Sequence, residues 1–350
     1  MIKDNVYIKL FACCILVKGA KRATIVDIQR HDYMFVPLGI SEILEEGKSR
    51  PIEEVLQGYN AADVANITKY LDHLITREYA FRTTEPELYP RLSLEWKNSS
   101  LISNAIIDFD YHSDYPVEPI IDQLEKLGCE TVQVRYFDAA CILWVSQLLS
   151  TFARGMGKIR NIQLVLGYSR EMDKSSLIRL MQKHERLTEI IIHSAPEESL
   201  LIHQKRYPLR FIKQEIKDES HCGFVSPKYF RINAPFFIES QHFNSCLNAK
   251  VSVDKNGMIK NCPAMDSTYG HVNDLSIDDV VIRQDYLDWG NISKDQVEGC
   301  SDCEFRYICS DCRVFTKTGG RYAKPASCTY NPYTMSWEQE PVIKEKQGAF

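Results

Sequence analysis

Along the N-terminal quarter of the chain, short apolar runs separated by polar turns give way to apolar positions at helical spacing. The apolar runs predict a three-stranded meander over residues 5–40, formed by VYIKLFACCILV, ATIVDI and YMFVPL. ISEILEEG and PIEEVLQGY predict two short helices, and Asn60 is a suitable N-cap for a third helix that includes 64–77. YAFRT predicts a returning strand. This order of elements predicts a winged-helix-like domain over 1–92.

From about residue 100, apolar strands alternate with amphipathic helices. The predicted strands are NAIIDFDY, TVQVRYF, NIQLVLGY, TEIIIHS and RFIKQEI. The predicted helices between them are VEPIIDQLEKLG, CILWVSQLLSTF and SSLIRLMQKH. Such alternation is typical of parallel strands joined by crossover helices in an α/β fold. Five or six strands are fewer than the eight of a closed (β/α) barrel, so we expect a degenerate partial barrel over 93–240.

Beyond residue 240 the periodic patterns become sparse, and seven of the twelve cysteines lie in this part of the chain. The seven are Cys246, Cys262, Cys300, Cys303, Cys309, Cys312 and Cys328. An alternating segment with an Asn256-Gly257 turn predicts a β-hairpin that brings Cys246 close to Cys262. We predict a cysteine-rich metal-binding domain over 241–336 and a flexible tail over 337–350.

The composition narrows the class of protein. The chain has 350 residues, of which 44% are hydrophobic and 25% charged, the mix of an ordinary folded protein. Its net charge of −5 argues against binding to nucleic acid. No apolar run reaches the ~18 residues of a membrane span. The run LFACCILV ends in KGAKR without a cleavage site, so we expect a cytoplasmic protein, in which disulfides are rare.

The cysteine spacing leaves several interpretations open. Two C-x2-C pairs argue against ordinary buried thiols, and seven cysteines cannot all pair as disulfides. Any four of them are able to hold a zinc ion. Seven thiolates also suit two iron–sulfur clusters, with one ligand position left open or filled by another residue. From the residues alone, iron–sulfur clusters are favoured and zinc is the alternative.

The pattern C-x10-G-x4-C, followed after a gap by C-x2-C-x5-C-x2-C-x15-C, resembles the SPASM domain of radical S-adenosylmethionine (SAM) peptide-modifying enzymes. The resemblance covers about 246–330, includes Gly257 and YGHVNDLSIDDVV, and departs by one spacing of two residues instead of three. The whole chain, with DCEFRYICSDCR and KLFACCILVKG, is similar to the grasp-with-SPASM peptide maturase family. Members of that family accompany an ATP-grasp ligase and a short precursor peptide.

The resemblance implies two [4Fe–4S] clusters. The first would be held by Cys300, Cys303, Cys309 and Cys328, and the second by Cys246, Cys262 and Cys312. Some relatives have a further cysteine shortly before the position of Cys246, where this chain has Ser240-Gln241-His242. The fourth ligand of the second cluster is therefore His242 or Cys222, unless that iron is open to substrate.

The motif that radical SAM enzymes use to hold their SAM cluster, C-x3-C-x2-C, does not occur in this sequence. It belongs after the first barrel strand, where this chain has DFDYHSDYPVEP without a cysteine. The glycine-rich SAM-binding loop belongs after the second strand, where VRYFDAAC contains no glycine. The sequence therefore predicts no SAM cleavage, and it leaves open whether the chain is an enzyme.

The resemblance also implies that the N-terminal domain binds the leader of a precursor peptide. An exposed strand edge beside a helix accepts an added peptide strand, which assigns this role to Tyr33, Phe35, Val36 and the helix 64–77. The alternative is that these side chains form core. Three functions remain: a peptide maturation partner of an ATP-grasp ligase, an active iron–sulfur redox or Lewis-acid enzyme, and a zinc-stapled regulatory or scaffold protein.

Overall fold

The structure, a computed structural model, describes residues 5–203 and 207–338. Its strands are β1 (Tyr7–Leu10), β2 (Cys14–Lys18), β3 (Arg22–Asp27), β4 (Asp32–Pro37), β5 (Ala80–Thr83), β6 (Asn104–Phe109), β7 (Thr131–Ala139), β8 (Asn161–Gly167), β9 (Leu187–His193), β10 (Ser199–His203), β11 (Tyr207–Phe211), β12 (Lys250–Val253), β13 (Met258–Lys260), β14 (Gly270–His271), β15 (Tyr330–Asn331) and β16 (Ser336–Trp337). The α-helices are α1 (Leu38–Glu46), α2 (Ile52–Leu56), α3 (Ala61–Thr76), α4 (Glu118–Lys126), α5 (Ile142–Arg154), α6 (Lys174–Lys183), α7 (Ala234–His242), α8 (Ile277–Val281) and α9 (Gln284–Gly290). Short 3₁₀ helices cover Pro86–Leu88, Pro227–Tyr229 and Lys294–Gln296.

The chain divides into two compact units. Within the described ranges, unit one contains the residues up to Trp96, the segment Phe224–Ser245 and the residues from Ile292 onward. Unit two contains Lys97–Gly223 and Cys246–Asn291. These boundaries differ from the predicted segments, so the division into functional domains stays a prediction. Most of the predicted flexible tail, from residue 339 on, lies outside the described residues.

Unit one begins with more strands than the sequence predicts. The first apolar run forms two strands, because a turn in which Cys14 N donates to Phe11 O (2.9 Å) separates β1 from β2. The meander is formed by β2, β3 and β4, with Ile25 paired to Leu16 and to Met34. β1 pairs instead with β5, which confirms YAFRT as a strand. The prediction of a single long first strand was therefore wrong.

The predicted helices of unit one are confirmed as α1, α2 and α3. The face of α3 that carries Ile67, Leu71 and Leu74 is buried and packs into a core with side chains of β1–β5. Apolar residues three and four positions apart lie on one side of a helix, so burying that side holds α3 on the sheet. The winged-helix description stays a prediction.

Replacing Asn60 by alanine is expected to destabilise unit one by about 1 kcal/mol. The side-chain oxygen of Asn60 accepts a hydrogen bond from the backbone N–H of Asp63 (2.9 Å), one of the donors left without a partner at the start of α3. Chemical denaturation measures the loss. The matched control is Asn60→Ser, which keeps a capping oxygen and should stay within a few tenths of a kcal/mol of wild type. Equal losses for both variants would contradict the capping role.

Unit two is built on one nine-stranded sheet with the order β10-β11-β9-β8-β7-β6-β12-β13-β14. The strands from β11 to β12 in this order are parallel, which confirms the predicted α/β alternation. β12 joins the sheet beside β6, with Lys250 paired to Asn104. Part of the predicted cysteine-rich segment is therefore continuous with the sheet of the predicted barrel.

The two faces of this sheet differ in what they bury. Helices α4, α5, α6 and α8 all contribute to one apolar core on one face. The opposite face carries buried charged side chains on neighbouring strands, Asp108 on β6, Arg135 on β7 and Lys250 on β12. Barrel-type α/β folds place their helices on one face in this way, whereas doubly wound sheets cover both. Among the described residues, no helix combines the length and the apolar character that crossing a membrane requires.

Candidate cysteine-rich metal sites

The cysteine-rich stretch of unit one folds as consecutive tight turns. Cys303 N donates to Cys300 O (3.0 Å), which closes one turn around the first C-x2-C pair. Cys309 N donates to Phe305 O (3.0 Å), which closes the next. Gly299, just before the first turn, has a φ of +67°, in the left-handed region that favours glycine. These turns bring the thiols of a short sequence to one place.

Four of the predicted ligands, Cys300, Cys303, Cys309 and Cys328, lie together in unit one. Burial raises the pKa of Cys300 to about 11 and that of Cys309 to about 12, and the charge of Cys328 adds to both shifts. Burial also raises the pKa of Cys303, with contributions from Cys309 and Cys300. Cys303, Cys309 and Cys328 contribute to one core cluster, and Cys300 is joined to Cys303 by a backbone hydrogen bond. Their role as ligands of one cluster stays a prediction.

Two buried cations accompany these thiols, and the cysteine spacing gave no signal for either. Lys294 is 3% exposed, and its ammonium donates to Arg306 O (3.0 Å) and to Cys309 O. Its charge lowers the pKa of Cys300 and Cys309, opposite to the effect of burial. Arg313 is also buried, but it is paired with Asp311 (2.6 Å), whose charge raises the pKa of Cys300. Positive charge beside buried sulfur stabilises thiolates, the form that binds metal.

One zinc ion and one iron–sulfur cluster require different spacings of their sulfur ligands. Thiolates that share one tetrahedral zinc lie about 3.8 Å apart, because each Zn–S bond is about 2.3 Å. Among the described residues, no three C-terminal cysteine Sγ atoms of unit one lie within 4.8 Å of one another. In an iron–sulfur cluster the cysteines bind different irons and are held further apart. Thiol donors suit either group, and the choice between zinc and an iron–sulfur cluster stays a prediction.

Cys246 and Cys262, in unit two, lie on either side of the predicted hairpin, which is confirmed as β12 and β13, with Val253 paired to Ile259. The turn requires glycine, because Gly257 has a φ of +75° and an added Cβ would meet His271 Nε2 at 2.4 Å. Cys312 belongs to unit one, where Phe315 N donates to its Sγ (3.3 Å). Its predicted ligation with the two hairpin cysteines stays a prediction.

Lys250 lies beside the hairpin cysteines and was not predicted as a site residue. Its ammonium is 3.7 Å from Cys246 Sγ. Burial lowers the pKa of Lys250, yet the pKa is raised overall because cysteine charges oppose the burial. In order of decreasing effect, these charges are those of Cys246, Cys262 and Cys222.

The segments that would carry the SAM-cluster motif and the glycine-rich loop of the resembled enzymes are the loop after β6 and the end of β7. The loop after β6 is tied down by Asp110, which pairs with Lys255 (3.2 Å), and by Ser113 Oγ, which donates to Lys255 O (2.6 Å). The segment expected to form a glycine-rich loop is the end of β7. A cavity of about 330 Å³ beside the loop is lined by aromatic rings, including Tyr115 and Trp144. It contains no thiol among its lining residues.

His242, a predicted fourth ligand, is exposed at the end of α7 in unit one. Its Nε2 lies 2.9 Å from the carbonyl oxygen of Leu94. One ring nitrogen therefore already has a backbone partner, and ligation by His242 stays a prediction.

The predicted peptide-binding residues of β4 differ in how deeply they are buried. Val36 is 1% exposed and belongs to the core. Tyr33 packs edge-on against Phe305 (5.7 Å between ring centroids), while Phe35 remains partly exposed. β4 is an edge strand of its sheet, and the Tyr70 hydroxyl of α3 donates to Phe35 O (3.1 Å). Helix α3 thus already occupies one carbonyl of the strand beside which a peptide is predicted to bind.

Cys13, Cys14 and Asp27 form a group that the sequence did not predict. Cys14 Sγ lies 4.0 Å from Cys13 Sγ and 3.5 Å from Asp27 Oδ2. Asp27 is already paired with Arg30 and accepts its backbone N–H (2.8 Å) as well. Because this carboxylate is already neutralised, we assign no metal to the group.

No family model and no curated protein matches the chain. Among solved structures, the chain is similar to SuiB from Streptococcus suis bound to S-adenosylmethionine, with 10% identity over 91% of this chain and 99% of that chain and a TM-score of 0.35. The chain is also similar to BtrN in complex with AdoMet and 2-DOIA, with 9% identity over 63% of this chain and 98% of that chain and a TM-score of 0.35. For SuiB bound to precursor peptide SuiA, the identity is 10% over 94% of this chain and 99% of that chain, and the TM-score is 0.31. These sequence identities and TM-scores are all low.

Proposed function

We propose that this chain is a maturation protein for a ribosomally made peptide, that it carries two [4Fe–4S] clusters, and that it acts with an ATP-grasp ligase without cleaving SAM. The observation that carries the proposal is the group of four thiols in unit one, two buried and two half-buried, beside Lys294, which donates to Cys309 O. The sequence resemblance supplies the peptide and the ligase. The lack of a C-x3-C-x2-C motif supports the absence of SAM cleavage.

The cysteines have distinct places in this proposal. Cys300, Cys303, Cys309 and Cys328 would hold the first cluster, and Cys246, Cys262 and Cys312 would contribute to the second. A bound [4Fe–4S] cluster supplies electron transfer or, at an iron with an open position, Lewis acidity. The chain's own cations, Lys294 and Lys250, place positive charge beside the two groups of thiols. Positive charge beside thiols stabilises the anionic thiolates that bind a cluster.

The leader of the precursor is proposed to bind along β4 in unit one. β4 has its sheet partner β3 on one side and helix α3 near the other, an arrangement that suits addition of a peptide strand. Because Val36 is buried in the core, it would stabilise β4 by packing behind the strand. Phe35, which is partly exposed, is the better candidate for direct contact with the peptide.

Replacing Tyr70 by phenylalanine is expected to tighten binding of a labelled precursor leader peptide about 2- to 10-fold. A strand added to β4 must displace the Tyr70 hydroxyl from Phe35 O, and one such hydrogen bond contributes about 0.5–1.5 kcal/mol. Fluorescence anisotropy under anaerobic conditions measures the affinity. Tyr59→Phe, on an exposed tyrosine of unit one, is the matched control and should bind like wild type. Weaker or unchanged binding by Tyr70→Phe would contradict docking at this edge.

A pull-down with the immobilised precursor tests the peptide-binding role as a whole. Binding in the micromolar range or tighter is expected. A failure to bind at that level at every salt concentration would exclude the role, whichever surface the peptide uses.

A further inference from the structure

The cavity of about 330 Å³ in unit two lies on the helix face of the sheet, where α4, α5 and the loop after β6 contribute to its lining. Phe109 and Tyr136, which line it, also contact the apolar core formed with the helices. They directly follow Asp108 and Arg135 in their strands, and successive strand residues point to opposite faces of a sheet. The cavity is therefore separate from the polar face that carries the Asp108–Arg135 pair.

Four aromatic rings form one connected part of the cavity lining. Phe109 is stacked on Tyr115, with 4.8 Å between the ring centroids. Trp144 lies edge-on to Phe109 (5.6 Å, 74°) and also contacts Tyr136 (4.8 Å). The Tyr115 hydroxyl donates to the backbone oxygen of Asp108, which holds that ring in place. Because the rings are fixed by one another and by the strand, this aromatic surface exists before a ligand binds.

The charged groups of the cavity lining are all acidic. Among the described residues that line it, two are carboxylates and none is basic. Asp110 is already paired with Lys255 (3.2 Å). Glu118, in the first turn of α4, lies 3.9 Å from Arg154, but both side chains are more than half exposed, so this ion pair contributes little. Glu118 is therefore the carboxylate that is available to a cation bound in the cavity.

We propose that this cavity binds a small quaternary ammonium compound, with the rings around Trp144 contacting the methylated cation and Glu118 supplying the counter-charge. Aromatic rings attract cations through their quadrupole, tryptophan most strongly, and rings of this kind recognise quaternary ammonium groups, which have no N–H to donate. A volume of about 330 Å³ is at the lower end of the range for small-molecule sites, about 300–1,000 Å³, which favours a small compound over a peptide. This site is independent of the proposed clusters and of peptide maturation.

The first test compares two probes on the full wild-type chain by isothermal titration calorimetry. Choline is the cationic probe, and 3,3-dimethyl-1-butanol is its neutral analogue of the same shape. Choline is expected to bind about 5- to 30-fold more tightly, because only the cation gains from the rings and from Glu118. Equal affinities, or no binding of choline in the millimolar range, would overturn the inference. A peptide that contains trimethyllysine and binds more tightly than choline would overturn the assignment to a small molecule.

Matched variants then place the bound choline in the cavity, with circular dichroism to verify that each variant is folded. Trp144→Leu should weaken binding at least about 3-fold, whereas Trp144→Phe keeps a ring and should lose less. Glu118→Gln should weaken binding about 2- to 5-fold. Its control is Glu130→Gln, which removes an exposed carboxylate of unit two outside the lining and should bind like wild type.

Two results with these variants would overturn the inference. One is wild-type affinity in Trp144→Leu, and the other is equal loss in Glu118→Gln and Glu130→Gln. If Trp144→Leu does not fold, the exposed position of Glu118 and the comparison of probes on wild type still decide the question. Choline binding requires no iron, so failure here leaves the proposed function intact, and a chain without iron leaves this inference intact.

Discussion

A chain with Cys309 replaced by alanine is expected to bind about half the iron of wild type, about four atoms instead of about eight. Cys309 is the thiol of unit one whose ionisation is influenced by Lys294, Cys328 and Cys300 together. As a proposed ligand of the first cluster, Cys309 supplies one of four sulfurs, and its loss leaves that set incomplete beside the Lys294 ammonium. Metal-binding free energy contributes to folding, so the thermal midpoint of unit one should fall as well.

Iron and sulfide analysis after anaerobic reconstitution measures this loss. Cys13→Ala is the matched control, because Cys13 is a partly buried cysteine of unit one outside the predicted ligand set. It should bind about eight irons. Full iron content in Cys309→Ala would show that the four thiols do not share a cluster. Equal iron loss in Cys13→Ala would show that the effect comes from general damage to the unit.

Replacing Asp108 by asparagine is expected to destabilise unit two by about 3–5 kcal/mol. Asp108 is 1% exposed and Arg135 is 7% exposed, so the change leaves a guanidinium buried without its counter-charge. Burial raises the pKa of Asp108, but the charge of Arg135 and its hydrogen bonds oppose that rise. Chemical denaturation followed by circular dichroism measures the difference in the free energy of unfolding.

Two further variants make this result specific. Asp72→Asn breaks the exposed ion pair with Arg82 and should cost less than about 1 kcal/mol. Replacing Asp108 by leucine and Arg135 by methionine together should recover much of the stability, because no unpaired charge then remains buried. A loss below about 1 kcal/mol for Asp108→Asn would show that water or another group reaches Arg135.

Periodicity predicted those parts of the fold in which one face is buried. The alternation from β6 to β9 and the face of α3 follow from apolar spacing, and the Asn256-Gly257 turn follows from its local conformation. The division between β1 and β2 was missed because the turn at Phe11 lies within an apolar run and carries no turn residue. The pairing of β12 with β6 was also missed, since it joins residues far apart in sequence.

The candidate sites were predictable only in part, for a related reason. The cysteine spacing within 299–312 predicted a group of thiols, because tight local turns bring these residues together. Lys294, Lys250 and Arg135 gave no signal, because a charged residue in a sequence is normally expected at the surface.

The count of iron, sulfide and zinc in the full-length chain, purified without oxygen, tests the proposed function most directly. Two [4Fe–4S] clusters predict about eight irons and about eight sulfides per chain, with little zinc. Stoichiometric zinc without iron or sulfide in the anaerobic preparation would contradict the proposal and favour a zinc-stapled scaffold.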